Sequence, residues 1–441
     1  MATTNLQQRV MIKELSMSGM TDREIGRQLQ ISPYTVRKWR RKAKAQGSAG
    51  LHSRMGRPRR GAMSTYPPHL ADRLRTWRKA HPGWGPKTLQ TELENDKHLQ
   101  GQRLPGESVI TRWLRQENLS RRYEKHSSLP AVCTSPAQYC HEEWEMDARG
   151  HEKIPDVGVI SLINVNDVFS KAKILSYPCY LGKQRASRHP STEDYQLTLR
   201  LAFTEWGLPN RLAVDHDSVF FDNHSKSPFP THLHLWLLAL GVDLTFGRMG
   251  QPKDQAMTER SHQTWQHQVL DGQQFGSLLD LFHTLTGRRH FLNYSLPCAT
   301  LGEVPPLVAY PQATTPHRIY RPEWESSILD LSRVHACLSQ GRWFRKASNI
   351  GAVSLGGTSY CLGRDWIRAE VEITLDAADQ HLVFRAGDKQ RHLGLKGLSI
   401  PDLMGEQSMR VHPDAFQLAL PFTWNQWRQL QACQLLSSTT L

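Results

Sequence analysis

The chain has 441 residues, with 55 Lys and Arg against 41 Asp and Glu, so that its formal net charge is +14. At about 150 residues per domain, this length allows three or four domains that each bury a core, and it excludes a disulfide-stapled peptide scaffold. With 39% hydrophobic and 22% charged residues, the composition excludes wholesale disorder, and no apolar stretch approaches the ~20 residues of a membrane span.

The excess positive charge lies in the N-terminal third of the chain. Residues 1–130 hold 26 Lys and Arg against 10 Asp and Glu, whereas residues 131–441 hold 29 against 31. Clustered cations bind nucleic acids because each phosphate that they neutralise releases condensed counterions. The asymmetry therefore predicts a phosphate-binding region at the N terminus, with a merely soluble cationic surface as the alternative.

The first part of that region, residues 1–48, has the pattern of a helix-turn-helix. Thr21 and Glu24 form a capping box that opens a second helix, and Ser32 caps a third helix that has proline at its first position. The last helix of such a motif enters the major groove with its N-terminal side chains on base edges. A plain three-helix bundle shares this periodicity, but the cations that follow favour DNA binding. The candidate contacts on the third helix are Tyr34, Thr35, Arg37 and Lys38.

The rest of the N-terminal third predicts a linker and a second helical unit. Residues 49–66 are rich in Gly, Pro and Arg, which suits either a minor-groove arm or a solvated linker. Residues 67–125 carry three further helical patterns and predict a second helix-turn-helix domain, so that two units read one long DNA end. The candidate DNA contacts of these segments are Arg57, Arg59, Arg60, Arg112 and Arg115.

From residue 140 to residue 312, strand and helix patterns alternate. Three neighbouring strands, then helix, strand, helix, strand and helix, form the succession expected of a ribonuclease H-like α/β core. Asp147 lies on the first strand, Asp215 at the end of the fourth and Glu259 on a later helix. Three such carboxylates can hold two divalent cations about 3.5–4 Å apart for phosphodiester chemistry. The many acidic residues of this part leave an accidental triple open.

Four strings in this region resemble the catalytic motifs of DDE transposases and retroviral-type integrases. They are WEMD, AVDHDSVF, GQPKDQAMTERSHQTWQ and FLNYSLPCATLGEVPPLVAY. The paired N-terminal units and SAGLHSRMGRP further resemble bacterial insertion-sequence or Mu-like transposases. The resemblance implies that Asp147, Asp215 and Glu259 are the catalytic acids and bind two Mg²⁺ or Mn²⁺ ions. It implies binding of transposon ends, cleavage at their 3′ ends and strand transfer into target DNA.

The same resemblance implies partners and a location. Double-stranded DNA, as transposon ends and as target, is the expected partner of a homo-multimer assembled on DNA, and an AAA+ ATPase is a further candidate. The expected location is the cytoplasm, at the bacterial nucleoid, with no membrane partner. Two other classes stay open: a transposase-derived DNA-binding regulator with an inactive core, and a structure-specific nuclease that cuts without joining.

Two departures from the family pattern bear on the site. Asp215, His216 and Asp217 stand where the family has Asp-Asn-Gly, so Asp217 is an alternative ligand, although the spacing to Phe220 favours Asp215. The distance to Glu259 in the sequence is longer than usual, which a loop insertion at residues 221–232 explains.

Several charged or polar neighbours of the three acids each have a structural alternative to a role in the site. Lys253 and Arg260 are candidate DNA contacts or exposed helix charges, and His262 follows Glu259 by three residues, so that it can reach the site. Asp167 is expected to be structural. Glu143 and Glu145 are expected to be solvated or paired with basic residues.

The C-terminal part predicts a linker, a small β-barrel and a tail. Residues 313–330 read as the linker, and residues 330–398 as four or five strands of an antiparallel barrel. The candidate phosphate contacts of this barrel are Arg342, Arg345 and Lys346, with a purely structural barrel as the alternative. Residues 399–441 predict a tail with an amphipathic helix that either binds a partner or packs on the barrel.

Overall fold

A computed structural model describes residues 4–52, 61–120, 137–223, 225–247, 256–376 and 378–405. The chain divides into two compact units, residues 1–67 and residues 68–441. Four candidate DNA contacts and most of the predicted C-terminal tail lie outside the described residues; these contacts are Arg57, Arg59, Arg60 and Lys253. No helix in the described ranges is both long and apolar enough to cross a membrane.

The first unit contains a three-helix bundle, called here the first bundle. Its helices are α1 (Leu6–Met17), α2 (Asp22–Gln28) and α3 (Pro33–Gln46). The predicted start signals are present, because Thr21 accepts a hydrogen bond from the Glu24 amide and Ser32 accepts one from the Tyr34 amide. The apolar faces of the three helices meet in one buried cluster, which leaves the opposite face of α3 in solvent. This cluster consists of Ile12, Ile25, Val36 and Trp39.

Residues 68–119 form the second bundle, at the start of the second compact unit. Its helices are α4 (Pro68–Ala80), α5 (Pro86–Asn95) and α6 (Glu107–Gln116). Its buried side chains include the apolar positions at helical spacing that predicted these helices: Leu70, Leu74, Leu89, Leu93, Ile110, Trp113 and Leu114.

The core is built on a five-stranded mixed sheet. Its strands are β1 (Glu143–Ile154), β2 (Gly158–Asp167), β3 (Lys173–Gly182), β4 (Arg211–Val214) and β5 (Asp243–Phe246). The spatial order is β3-β2-β1-β4-β5, in which the first three strands are antiparallel, β4 runs parallel to β1 and β5 runs parallel to β4. This order and these directions agree with the predicted ribonuclease H-like α/β core.

Five helices accompany the sheet. They are α7 (Thr192–Trp206), α8 (His232–Ala239), α9 (Ala256–Trp265), α10 (Leu278–Tyr294) and α11 (Pro306–Ala309). The sequence predicts one helix through Leu270, but α9 ends at Trp265 and continues as a π-helical turn from Gln266 to Leu270. Helix α10 has no counterpart in the sequence analysis, and it packs against β3.

The described residues after the core form open sheets, so the predicted barrel is not confirmed. The strands are β6 (Arg342–Lys346), β7 (Ala352–Leu355), β8 (Thr358–Cys361), β9 (Glu370–Asp376), β10 (His381–Ala386) and β11 (Lys389–Gly394). Four of them form an antiparallel sheet in the order β11-β10-β9-β6, and β7 pairs with β8 in a separate sheet. The two edges β11 and β6 do not pair in this part of the structure, which leaves the larger sheet unclosed.

Three short helices flank these sheets. They are α12 (Glu325–Ile328), α13 (Leu331–Ser339) and α14 (Ile400–Met404). The α13 segment lies in a run that the sequence analysis assigned to strands. Asp330 caps this helix by accepting from the Ser332 amide, and Val334 and Leu338, four residues apart, bury one face. Capping and the helical spacing of apolar residues thus overcome the strand preference of the β-branched Val334 in this segment.

The predicted linker at residues 313–330 packs against the core. Glu325 is buried and accepts hydrogen bonds from Arg200 of α7, Trp236 of α8 and the nearby Tyr320. A buried carboxylate needs such partners because an unpaired charge is strongly unfavourable away from water. The segment therefore packs against α7 and α8 of the core.

The predicted insertion at residues 221–232 docks on the C-terminal sheet. The Phe229 ring lies edge-on to the Trp343 ring at 4.8 Å, and Arg345 donates to the Ser227 carbonyl at 2.7 Å. Arg345 also lies 3.6 Å from the Asp222 carboxylate. The guanidinium of Arg345 thus joins two parts of this chain and is not a free phosphate contact.

Candidate active site

Asp147 on β1 and Asp215, the residue that follows β4, lie at the same end of two neighbouring parallel strands. In the register of β1 and β4, Glu145 lies opposite Ala213. Two residues further along each chain come Asp147 and Asp215, on the same face because side chains alternate along a strand. Asp147 has 21% of its side chain exposed, and Asp215 is half-buried. The sheet thus brings these two carboxylates together at one end of β4.

Asp147 and Asp215 are carboxyl groups in a poorly solvated part of the protein. Burial, followed by the charge of Asp215, raises the pKa of Asp147 to about 7. Burial also raises the pKa of Asp215, against a backbone hydrogen bond from Asp217 that lowers it. Because a carboxyl pKa rises where the charged form lacks compensation, this point of the molecule favours a bound cation.

Asp217 has a different task from Asp215. Its backbone amide donates to Asp215 Oδ1 at 3.0 Å, and its own Oδ1 accepts from the Val219 amide at 3.2 Å and from Ser218 Oγ at 3.1 Å. Asp217 is also exposed. These bonds make Asp217 the residue that shapes the turn, and they favour Asp215 as the residue that faces Asp147.

Helix α9 lies against β1 and β2 through a polar contact next to the acids. Lys173 Nζ lies 3.0 Å from Asn166 Oδ1 and 3.2 Å from Ser261 Oγ, and Ser261 Oγ donates to the same Asn166 oxygen at 3.1 Å. Ser261 and Asn166 are buried. The side chain of Asn293 holds the Lys173 backbone, accepting from its amide at 2.8 Å and donating to its carbonyl at 2.9 Å.

Lys173 is the functional candidate that the sequence analysis missed. Desolvation lowers the pKa of its ammonium to about 8. Its signal in the sequence is a single lysine at the start of a β-rich run, which is also typical of a strand end. The resemblance did include Asn293, and the structure gives this asparagine a physical role as the anchor of Lys173.

His262 extends from α9 toward the acids, as its spacing predicts. Its Nε2 lies 3.7 Å from Asp147 Oδ2 and has no hydrogen-bond partner among the described residues. Burial, helped by the charges of Arg149 and Lys173, lowers the pKa of His262 to about 4. The imidazole is therefore neutral at neutral pH and leaves the negative charge of the acids uncompensated.

Glu259 does not join the aspartates in this structure. It lies exposed in the first turn of α9, beside the exposed Arg260. Within the described ranges, no group of three or more His, Cys, Asp or Glu side chains is arranged to hold a metal ion. The fold therefore brings Asp147, Asp215 and His262 into one region, with Glu259 on the adjoining helix turn.

The remaining acids of this region are structural. Asp167 is fully buried and accepts from the His141 and Ser170 amides at 2.9 Å each, as expected of a structural residue. Glu143 is buried and accepts from Arg211 Nε at 3.0 Å, which is the predicted basic pairing. Glu145 is also buried, which leaves the basic pairing of the two expected alternatives, and its charge acts on the Lys173 ammonium.

The first bundle presents the predicted DNA contacts on α3. Tyr34 is 77% exposed, Lys38 is exposed and Thr35 is half-buried. Arg37 is 61% exposed, although its Nε lies 3.3 Å from Asp22 Oδ2. The N-terminal half of α3 therefore offers a hydroxyl and two cations to solvent.

The second bundle presents its candidate contacts on α6. Arg115 is exposed, and Arg112 is half-buried with its Nε bound to the Ser108 carbonyl at 3.2 Å. Both side chains retain free donors because a guanidinium carries five N–H groups.

Comparison with known proteins identifies the N-terminal domains. Residues 7–61 match a family model described as a helix-turn-helix domain, and residues 35–114 match one described as a homeodomain-like domain. These matches confirm a helical, helix-turn-helix region at the N terminus, and its division into two domains stays a prediction.

Among solved structures, the chain is similar to retroviral integrases at low scores. A simian T-cell lymphotropic virus intasome in complex with PP2A regulatory subunit B56 gamma has 12% identity and a TM-score of 0.31, over 71% of this chain and 97% of that chain. The HTLV-2 integrase catalytic core domain in complex with magnesium, in a trimeric form, has 14% identity and a TM-score of 0.28, over 38% and 96%. The catalytic core domain of BIV integrase has 15% identity and a TM-score of 0.27, over 39% and 95%.

The order and directions of the five strands, together with the sequence motifs, indicate a ribonuclease H-like α/β core. The helix-turn-helix matches support DNA binding at the N terminus. Together these findings are consistent with the DDE transposase and integrase family.

Proposed function

We propose that this protein is a DDE-type DNA transposase. Its helix-turn-helix domains bind transposon ends, and its core cleaves their 3′ ends and transfers the freed strands into target DNA. The observation that carries the proposal is the proximity of Asp147 on β1 to Asp215, which directly follows the parallel strand β4. Burial and the charge of Asp215 raise the pKa of Asp147 there to about 7. A folded protein retains such crowded, half-buried carboxylates where a cation or a reaction uses them.

The donor set fits a hard divalent cation. Carboxylate oxygens are the ligands that Mg²⁺ and Mn²⁺ prefer. Asp147 stands beside His262 Nε2, which has no hydrogen-bond partner among the described residues. We propose Asp147 and Asp215 as the residues that hold two such ions, with Glu259 as the third ligand. Bound there, the ions would lower the pKa of an attacking hydroxyl or water and stabilise the leaving oxygen.

Residues of α3, α6 and α9 bind and orient the DNA in this proposal. Tyr34, Thr35, Arg37 and Lys38 of α3 hold one part of the transposon end, and Arg112 and Arg115 of α6 hold another part. Arg260, beside Glu259, is placed to contact a phosphate of the cleaved strand. No covalent protein intermediate is required, because hydrolysis frees a 3′-OH that then attacks target DNA in line.

The joining of two ends to one target requires at least two copies of the active site. We therefore propose a homo-multimer assembled on DNA at the bacterial nucleoid. No observation on the described residues supports an AAA+ ATPase partner, and this partner is not part of the proposal.

A second candidate function is a DNA-binding regulator with an inactive core. The separation of Glu259 from the two aspartates favours it, because two carboxylates alone make a weaker metal site. This candidate predicts end binding without any metal-dependent product, which is a measurable difference.

The test uses duplex DNA that ends in the inverted repeats flanking the gene. The purified full chain is incubated with this DNA and Mg²⁺, and with precleaved ends plus a supercoiled target plasmid. The proposal predicts a nick that leaves a 3′-OH at the end of the repeat, and joined products from the precleaved ends. Binding without products would favour the regulator, and nicking without joining would favour a structure-specific nuclease.

A further inference from the structure

The second bundle lies directly against the π-helical turn that follows α9. Trp84, in the loop between α4 and α5, donates from Nε1 to the Gln268 carbonyl at 3.3 Å, and Gln268 Nε2 donates to Thr88 Oγ1 at 3.1 Å. The backbone at Gly83 comes so close that an added Cβ would lie 2.2 Å from the His267 carbonyl oxygen. The contact is therefore formed backbone to backbone as well as through side chains.

Arg288 of α10 joins the same elements. Its side chain is only 10% exposed, and its guanidinium lies between the Trp84 ring at 4.3 Å and the Phe291 ring at 3.9 Å. Its Nε donates to Gln268 Oε1 at 3.0 Å, and its Nη1 forms an ion pair with Glu92 of α5. A guanidinium removed from water requires such a complete set of partners, so these contacts fix α5, α10 and the π turn relative to one another.

The π turn is continuous with the helix that carries Glu259. Glu259 precedes Gln268 by nine residues, which corresponds to about 13 Å along a helix. Trp265 and Val269 are buried in a cluster that includes Ile160 and Leu162 of β2, whereas Glu259 at the other end of α9 is exposed. The helix is thus anchored at its C-terminal end.

A π turn is an uncommon conformation that depends on its surroundings. It accommodates one residue more than an α-helical turn, so its conversion to an α turn would rotate the preceding helix by about 100° relative to the residues after the turn. Such a rotation would turn Glu259 and His262 away from their present directions. The contacts of the second bundle at Gln268 and His267 oppose this conversion.

We propose that the second bundle is a brace that fixes the π turn and therefore the rotation of α9 about its axis, which decides the face on which Glu259 stands. Gly83, Trp84 and Arg288 are its positioning residues. This inference rests on the proposed role of Glu259 in the active site. It assigns the second bundle two tasks: DNA binding through α6 on one side, and support of α9 through α5 and the preceding loop on the other. Binding of a transposon end by α6 is then coupled to the geometry of the acids.

The test compares Gly83→Ala with Gly85→Ser in the full chain. At Gly83 the added methyl group meets the His267 backbone, whereas at Gly85 an added Cβ meets nothing within 4 Å and serine is a good residue at this helix N-cap. Arg288→Met is the second variant, because it keeps the apolar stem and removes the ion pair. Three quantities are measured: amide hydrogen exchange of residues 259–270, affinity for the transposon end, and the single-turnover cleavage rate at saturating DNA.

The brace predicts a selective effect. Gly83→Ala and Arg288→Met should each raise exchange in residues 259–270 at least tenfold and lower the cleavage rate at least tenfold, while affinity for the end changes less than threefold. Gly85→Ser should leave all three quantities within twofold of the wild type.

Unchanged exchange in residues 259–270 in both variants would overturn the brace, whether or not exchange in residues 68–116 rises. Hydrogen exchange requires no catalysis, so it decides this question even if the wild type yields no cleavage product. An inactive wild type would count against the proposed transposase, whereas an active wild type with unchanged exchange in both variants would count against the brace alone.

Discussion

The pKa of Asp22 in the first bundle and the pKa of Asp147 in the core are shifted in opposite directions. In the first bundle, burial acts to raise the pKa of Asp22, but hydrogen bonds from Arg40 and Arg37 outweigh it, so that the pKa is lowered. In the core, burial and neighbouring carboxylates act together and raise the pKa of Asp147 to about 7. One region supplies its own cations, and the other has an acid pair whose charge the protein leaves uncompensated.

This difference gives the charge asymmetry of the sequence a physical meaning. Residues 1–130 have 26 cationic against 10 acidic residues, so cations remain for DNA phosphates after the local acids are paired. The nearly neutral remainder has 29 against 31, and it contains the two aspartates near β1 and β4 whose pKa values are raised. In the proposed function, phosphate binding and phosphate chemistry thus belong to different regions.

The largest expected effect tests the acid pair. Asp147→Asn or Asp215→Asn should lower single-turnover cleavage at least about 10³-fold, because residues that act as one site lose function together. Affinity for the transposon end should stay within about threefold, since the helix-turn-helix domains are untouched. Asp217→Asn is the matched control, expected to lower cleavage less than about tenfold. Equal losses for Asp215→Asn and Asp217→Asn would contradict the distinction between the two residues.

The next effect concerns stability and its pH dependence. The pKa of Asp147 is raised above its usual value of 3.8, so the wild type loses stability as the pH rises from about 4 through 7. Without divalent cations, Asp147→Asn should raise the free energy of unfolding by up to about 4 kcal/mol at pH 8 and change it little at pH 4. Urea denaturation at the two pH values measures the difference. A variant less stable than the wild type at pH 8 would show that the ionised Asp147 carboxylate does not destabilise the folded protein.

A smaller effect is expected from the exposed face of α3. Lys38→Ala should weaken end binding about tenfold and reduce the salt slope of log K by about 1, because one phosphate contact is lost. Lys13→Ala removes the same charge from α1 and should change affinity less than about threefold. Fluorescence anisotropy over a range of salt concentrations measures both variants. Equal effects of the two substitutions would indicate that α3 is not the DNA-facing helix.

The smallest effect is expected where the first bundle pairs its own charges. Asp22→Asn removes partners of Arg37 and Arg40, and it should lower stability by less than about 1 kcal/mol because the pairs lie at the surface. It should also strengthen DNA binding slightly, since two guanidinium groups are released. A loss of DNA affinity would mean that Asp22 holds these arginines in their binding geometry.

Helices with strong local signals could be predicted from the sequence. Apolar residues at helical spacing predict helices over Glu107–Gln116 and Thr192–Trp206, and α6 and α7 have these bounds. The strand and helix succession of the core also followed from the residues. Asp147 and Asp215 could be chosen because the motif resemblance marked both.

Tertiary contacts decided the features that the sequence analysis missed. The π turn at Gln266–Leu270 contacts the second bundle, which is distant in sequence. Lys173 is marked only by its contacts with Asn166 and Ser261, and α13 buries one face against the rest of the fold. Barrel closure likewise depends on pairing between β6 and β11, which no local pattern encodes. Non-local packing of this kind cannot be read from periodicity.

The most direct test of the central claim is Mn²⁺ binding to the purified protein with transposon-end DNA, followed by electron paramagnetic resonance. We expect two bound Mn²⁺ ions per active site in the wild type. Asp147→Asn and Asp215→Asn should lose these ions at the same protein and DNA concentrations. Asp217→Asn should retain both ions. Wild-type stoichiometry in the Asp147→Asn and Asp215→Asn proteins would contradict the claim that the paired aspartates of β1 and β4 form the metal site.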